Sequence, residues 1–236
     1  MNILPDPINK IAISGVASSG GNAGPGFASV KFSSNQPVMV DRTRSGRVIQ
    51  RAILGHTWRI EIAYNPLTRT EFNPVNNFLM AMQANLSAFY VLLPQYKEAQ
   101  DSNFAAANVS SNPVTVDETG GSAGRTYLTC TYTGGGYPNP GDIFNIVDDT
   151  NSNHVKTYMV TRYETASSHD NSVGVLTGGQ KRIHFNPPLT YSVPDNKELE
   201  FTNPKIRVVN TKPVQEYSLN TDNLYKFSLN LEEALP

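Results

Sequence analysis

Between Thr57 and Tyr64 the apolar side chains Trp58, Ile60, Ile62 and Tyr64 fall on every second position, with Thr57, Arg59 and Glu61 between them. A period of two marks a strand with one face in a core and the other in water. Upstream, Gly46 to Leu54 reads as a second strand. Gly55-His56 between them suits a two-residue II′ turn, because glycine accepts positive φ at the first central position. The expectation is a hairpin with Ile53 facing Trp58, Arg51 facing Ile60, Ile49 facing Ile62 and Arg47 facing Tyr64. Gln50 and Glu61, and Ala52 and Arg59, then meet on the other face. A three-residue loop would flip this register. Arg51 interrupts the apolar face and must reach a carboxylate, lay its stem along aromatics, or meet another chain.

After Asn65-Pro66 the period becomes helical. Asn73 reads as N-cap and Pro74 as the first helical residue, with Val75, Phe78, Leu79 and Met82 forming one apolar stripe and Asn85 a left-handed C-cap. Phe89 to Leu93 has the composition of a buried strand, which Pro94 stops. Nearer the amino terminus, Ile11 to Val16 is a short strand candidate. The Gly/Ser/Asn/Pro stretch Ser18 to Gly26 matches no phosphate-cradling motif and reads as a surface loop.

From Gln95 to Gly124 large apolar residues almost vanish, and the segment reads as a linker or long exposed excursion. Strands return at Arg125 to Thr133, Asp142 to Val147, Val155 to Tyr163 and Lys181 to Phe185, separated by turn signals, as in a small antiparallel barrel or sandwich. Alternation resumes at Ile206 to Val208, at Glu216 to Leu219 and most clearly at Tyr225 to Glu232, where Tyr225, Phe227, Leu229 and Leu231 share one face. These last strands need a partner sheet, and the amino-terminal unit is the one available. The expected protein is mainly β: a discontinuous β-sandwich domain with one short helix, residues 1–94 and 200–236, interrupted by an OB-like or sandwich-like β-barrel domain over 95–199 with a long polar loop at its start.

Composition fits this class, with charged residues at 17%, 17 glycines and 16 prolines in 236 residues. A formal net charge of −1 gives no global attraction to nucleic acid or anionic membrane. Arg42, Arg44, Arg47, Arg51 and Arg59 crowd one segment, but strand alternation divides them between two faces, so ion pairs or contacts between chains are expected rather than a phosphate track. A single cysteine, Cys130, excludes a disulfide framework within the chain and a multi-cysteine zinc site, and reads as a small apolar strand residue. The amino terminus shows neither a basic start nor an apolar core, and no run is long enough to span a bilayer, so synthesis in the cytosol is expected. His56, His154, His169 and His184 have no metal-site spacing, and no nucleophile motif appears. Asp148, Asp149, Glu164, Glu198 and Glu200 leave a carboxylate pair open, since sequence gives no distances.

Several short runs resemble a known family. Arg44-Ser45-Gly46-Arg47, then Trp58 in a strand ending Tyr64-Asn65-Pro66-Leu67-Thr68, then Arg69-Thr70-Glu71-Phe72 before a helix and an apolar strand ending at Pro94, resemble the first half of tail-tip proteins of long-tailed bacteriophages. Gly141-Asp142-Ile143-Phe144, Tyr158-Met159-Val160-Thr161 and Asn186-Pro187-Pro188-Leu189 look like their middle, and Tyr225 to Ala234 is similar to their last strand. The chain thus resembles the distal tail protein family or a baseplate ring relative.

That resemblance implies a ring-forming β-sandwich domain split by an inserted barrel and assembled as a hexamer between the tail tube and the tip. It further implies a place in the virion, the tail tube protein and hub or tip proteins as neighbours, and neither a catalytic residue nor a cofactor. Arg47, Arg51 and Arg59 are the candidate intersubunit or interdomain contacts. The competing expectation is a carbohydrate-binding β module contacting a host-surface glycan, with Tyr127, Tyr132, Tyr137 and Trp58 as stacking faces. A single-strand nucleic-acid binder is disfavoured by the neutral charge.

Overall fold

The computed structural model describes residues 2–10, 20–52, 55–83, 86–117, 121–212, 217–220 and 222–235. The strand expected at Ile11 to Val16 and the cap expected at Asn85 lie outside them. In chain order the elements are β1 (Ser29–Asn35), β2 (Val38–Arg42), β3 (Val48–Ala52), β4 (Thr57–Ala63), α1 (Arg69–Ala81), β5 (Phe89–Leu92), α2 (Ser102–Ala107), β6 (Val114–Val116) and β7 (Tyr127–Thr131). They continue with β8 (Ile143–Val147), β9 (Thr157–Thr165), β10 (Gln180–Asn186), β11 (Glu198–Glu200), β12 (Lys205–Asn210), β13 (Ser218–Leu219), β14 (Tyr225–Lys226) and β15 (Ser228–Glu233). The chain divides into two compact units, one of Met1–Val91 with Arg207–Ala234, the other of Leu92–Ile206 with Leu235–Pro236.

In the first unit β4 lies inside a five-stranded sheet ordered β1-β4-β15-β12-β5. The alternation read from the sequence is realised: Trp58, Ile60 and Ile62 are at most 3% exposed. The expected hairpin partner is not. β4 pairs with β1, aligning Ile60 with Phe32 and Ile62 with Val30, and with β15, aligning Ile60 with Leu231 and Ile62 with Leu229. Two apolar-alternating strands meet with their buried faces in register, a better match than one interrupted by Arg51. The Trp58 ring stacks on Phe32 at 4.5 Å, and its backbone N–H donates to the buried Glu233 carboxylate at 3.1 Å. β3 pairs instead with β2 in a separate two-stranded sheet, so Arg51 faces Met39 rather than Ile60.

Helix α1 begins one turn earlier than Asn73. Thr68 is its N-cap, and the Glu71 carboxylate accepts from the Thr68 N–H at 2.9 Å and from its hydroxyl at 2.8 Å. This local closure of the first turn outweighs the starting preference of Pro74, which sits inside the helix. The expected stripe is buried, Val75, Phe78, Leu79 and Met82 being at most 9% exposed; Phe78 meets Phe89 edge-on at 5.4 Å, and Phe72, in the turn before the expected start, stacks on Tyr225 at 4.6 Å.

The second unit is a closed six-stranded antiparallel barrel ordered β10-β7-β6-β11-β8-β9. Leu128 and Cys130, Phe144 and Ile146, Tyr158 and Val160, and Ile183 and Phe185 fill its interior. Cys130 is a fully buried packing residue. The segment Gln95 to Gly124 is not a bare excursion. It contributes α2 and β6, and Phe104, Val114 and Val116 are core residues at most 2% exposed. Phe104 meets Tyr132 at 5.3 Å and Phe201 at 5.2 Å. Elements this short bury one or two side chains each, too few to show a period.

Candidate assembly surface

Among the described residues, β2 and β3 bring together five exposed large apolar side chains, Val38, Met39, Val40, Val48 and Ile49. The two strands pair from Val38↔Ala52 to Arg42↔Val48, and among the described residues they pair with no other strand. Thr43 closes the turn: its backbone N–H donates to the Arg47 carbonyl at 2.9 Å, and its hydroxyl oxygen accepts from the Arg47 N–H at 3.1 Å. Gly46 there takes φ +82, a conformation that other L-residues adopt only with strain. The hairpin leaves its apolar side chains in water: Met39 is 62% exposed, Val40 60% and Ile49 51%. An isolated two-stranded hairpin is marginal in water, and a cluster of exposed apolar residues marks a contact surface. Among the described residues neither outer edge of the pair is bonded to a further strand.

The arm is also cationic, with Arg42, Arg44, Arg47 and Arg51 against Asp41 alone between Val38 and Ala52. Arg47 lies at the turn and Arg51 on β3, both exposed. Arg59 is not brought to this surface. It stands on β4 in the five-stranded sheet, with Nε 3.6 Å from Glu232 Oε1 of the same chain. Sequence reasoning missed the apolar half of the arm. The signal was present, since Val38-Met39-Val40 and Val48-Ile49 flank Thr43-Arg44-Ser45-Gly46, a turn signature between two β-branched runs.

Other candidates disperse. Trp58 and Tyr132 are 3% and 4% exposed, so neither offers a stacking face; Tyr137 is 44% exposed. The histidines are engaged separately, His56 with Ser34 at 2.9 Å and His154 with Tyr158 at 2.9 Å. Asp149 pairs with Lys197, and Glu164 with Arg162 and Arg182. Among the described residues no group of three or more His, Cys, Asp or Glu side chains is arranged to hold a metal ion, and no helix is long and apolar enough to cross a membrane.

Comparison with known proteins covers this part of the chain and more. The family model described as distal tail protein pb9, A domain, N-terminal, matches residues 17–96, the span that contains β1 to β5, α1 and the exposed arm. Distal tail protein pb9 of Escherichia phage T5 is 26% identical over 189 residues, covering 78% of this chain and 82% of that protein. The chain that carries this arm is therefore similar to the distal tail proteins of tailed bacteriophages.

Proposed function

We propose that this chain is a structural protein of a phage tail, assembled at the tail tip as a closed ring of identical subunits that joins the tail tube to the distal tip. The similarity to distal tail protein pb9 supports the tail role and the virion as its location. Self-association is carried by one observation, the hairpin β2–β3, whose apolar side chains are exposed on a single chain. A surface that inserts into a different surface of the next copy makes a head-to-tail contact, and such contacts close into a ring when the rotation between copies is a simple fraction of a turn.

In the ring, Arg47 and Arg51 meet the neighbouring subunit. Among the described residues neither has a carboxylate partner within its own chain, whereas Arg59 is engaged by Glu232. The compact unit of Met1–Val91 with Arg207–Ala234 is the ring-forming domain, the unit of Leu92–Ile206 the inserted one, and six is the expected number of copies. The tail tube protein and the hub or tip proteins are the neighbours along the tail axis. No chemical step belongs to this role.

Sedimentation velocity of the wild type and of the double charge reversal R47E/R51E tests the contact. The wild type is expected to sediment as an assembly and the variant as a folded monomer with a lower melting temperature, because association of folded chains stabilises them. A monomeric wild type, or an assembly that persists in the variant, would count against it.

A further inference from the structure

Most carboxylates of this chain are already occupied. Among the described residues they accept backbone N–H groups or hydroxyls, or pair with a cation, as Glu61 does with Lys31, Asp101 with the Asn103 N–H, Asp117 with Thr131 and Glu164 with Arg182. Glu198, Glu200 and Asp222 are the exceptions there, with neither a hydrogen bond nor an ion pair to the side-chain oxygens. Asp222 stands by itself on an exposed turn, whereas Glu198 and Glu200 stand together on β11.

Strand geometry fixes where that pair points. Leu199 between the two is 1% exposed and belongs to the barrel core, so Glu198 and Glu200 share the outer face of β11. β11 is bonded on both sides, which sets Thr115 and Val147 beside Glu198 and Asn145 beside Glu200. Val147 is 46% exposed, an apolar side chain on the wall next to the acidic pair. The cations nearby do not neutralise it: Lys197 pairs with Asp149, and Lys205 acts on Glu200 without forming an ion pair. Burial of Glu200 pushes its carboxyl above the usual range, against the pull of Lys205 and with the repulsion of Glu198 adding to it. Two like charges, one of them half-buried, form a surface short of a cation.

The arm carries the complement. Alternation places Arg47, Ile49 and Arg51 on one face of β3, with Met39 directly across from Arg51. An apolar residue between two unpaired guanidiniums on the arm thus matches an apolar residue beside two unpaired carboxylates on the barrel. A head-to-tail ring needs two different surfaces on every subunit, and the arm supplies one. We propose that the outer face of β11 is the other, so that Arg47 and Arg51 of one copy pair with Glu198 and Glu200 of the next and Ile49 is set against Val147. This rests on the ring reading and names the surface that receives the arm. Complementary charge there fixes which surface the arm selects, since placing like charges across a contact opposes it.

Sedimentation velocity of full-length wild type, R47E/R51E, E198K/E200K and an equal mixture of the two variants tests the pairing. Each variant alone is expected to need at least about a tenfold higher concentration than wild type to assemble. The mixture is expected to assemble, because the acidic arm of one variant meets the basic wall of the other, and the basic arm of the second meets the acidic wall of the first. E198Q/E200Q, which removes the attraction without introducing repulsion, is expected to fall between wild type and E198K/E200K, and circular dichroism spectra show whether each variant folds. Wild-type assembly in folded E198K/E200K or E198Q/E200Q, or a mixture of folded variants that stays monomeric, would overturn this pairing and leave the ring standing. A monomeric wild type would overturn the ring itself and the pairing with it.

Discussion

Glu164 is the carboxylate on which a water-excluded guanidinium depends. The side chains of Arg182 and Glu164 are 3% and 6% exposed, so removing one leaves a buried charge without compensation. Glu164→Ala is expected to destabilise the protein by about 3–5 kcal/mol, read from denaturant unfolding, whereas Arg162→Ala on the exposed side should cost under about 1 kcal/mol. A comparable loss in both would mean that the buried pair contributes no more than the exposed one. His154 adds a pH dependence. Burial holds its imidazole below the usual histidine range, against the opposing pull of Asp148, whose Oδ2 is 3.7 Å from Nδ1. A folded-state pKa below the unfolded one, about 6.5, means that protons bind the unfolded chain more readily. The stability that neutral His154 contributes is therefore present above pH 6.5 and lost as pH falls through the folded value. His184 is depressed in the same direction, by burial and by Arg162. The melting temperature should fall between about pH 7 and 5, less steeply in His154→Gln; an identical slope in that variant would remove His154 as a source.

At the scale of elements, what could be read depended on how local the cause was. The faces of β4, α1 and β15 follow from alternation or helical spacing within each element, and Ile60, Phe78 and Leu231 are all buried as that spacing requires. Pairing was not legible in the same way. The strand beside Gly55-His56 looked like the partner of β4, yet the hydrogen bonds from Thr57 and Trp58 reach residues 175 positions later. A turn signal says that the chain can reverse; it does not say which distant strand offers the better-matched apolar face. The helix start failed for a different reason, since both Thr68 with Glu71 and Asn73 with Pro74 are valid start signals, and the reciprocal one prevailed. Glu71→Ala is accordingly expected to cost about 0.5–1 kcal/mol in thermal unfolding. The arm was half legible: its arginines stood out as charges, but Val38, Met39 and Val40 became informative only when seen exposed. Replacing Val40 and Ile49 by Thr should change monomer stability by no more than about 0.5 kcal/mol, because both are already in water, while weakening self-association. A large loss of stability on that exchange would make the arm part of the fold rather than a contact.

For the whole molecule, a chain with one apolar, cationic arm and well-packed cores is suited to being one part of a larger object. The second unit closes its sheet into a barrel and thereby removes edges, whereas among the described residues the first unit keeps sheet edges at β1 and β5 and on the β2–β3 pair, and of these the β2–β3 pair also carries exposed apolar side chains on both strands. Negative-stain electron microscopy of the purified protein across a concentration series is the most direct measurement of assembly. Closed rings with six-fold symmetry are expected to appear in the wild type and to vanish in R47E/R51E. Isolated monomers at every concentration, or open filaments in place of rings, would contradict the ring.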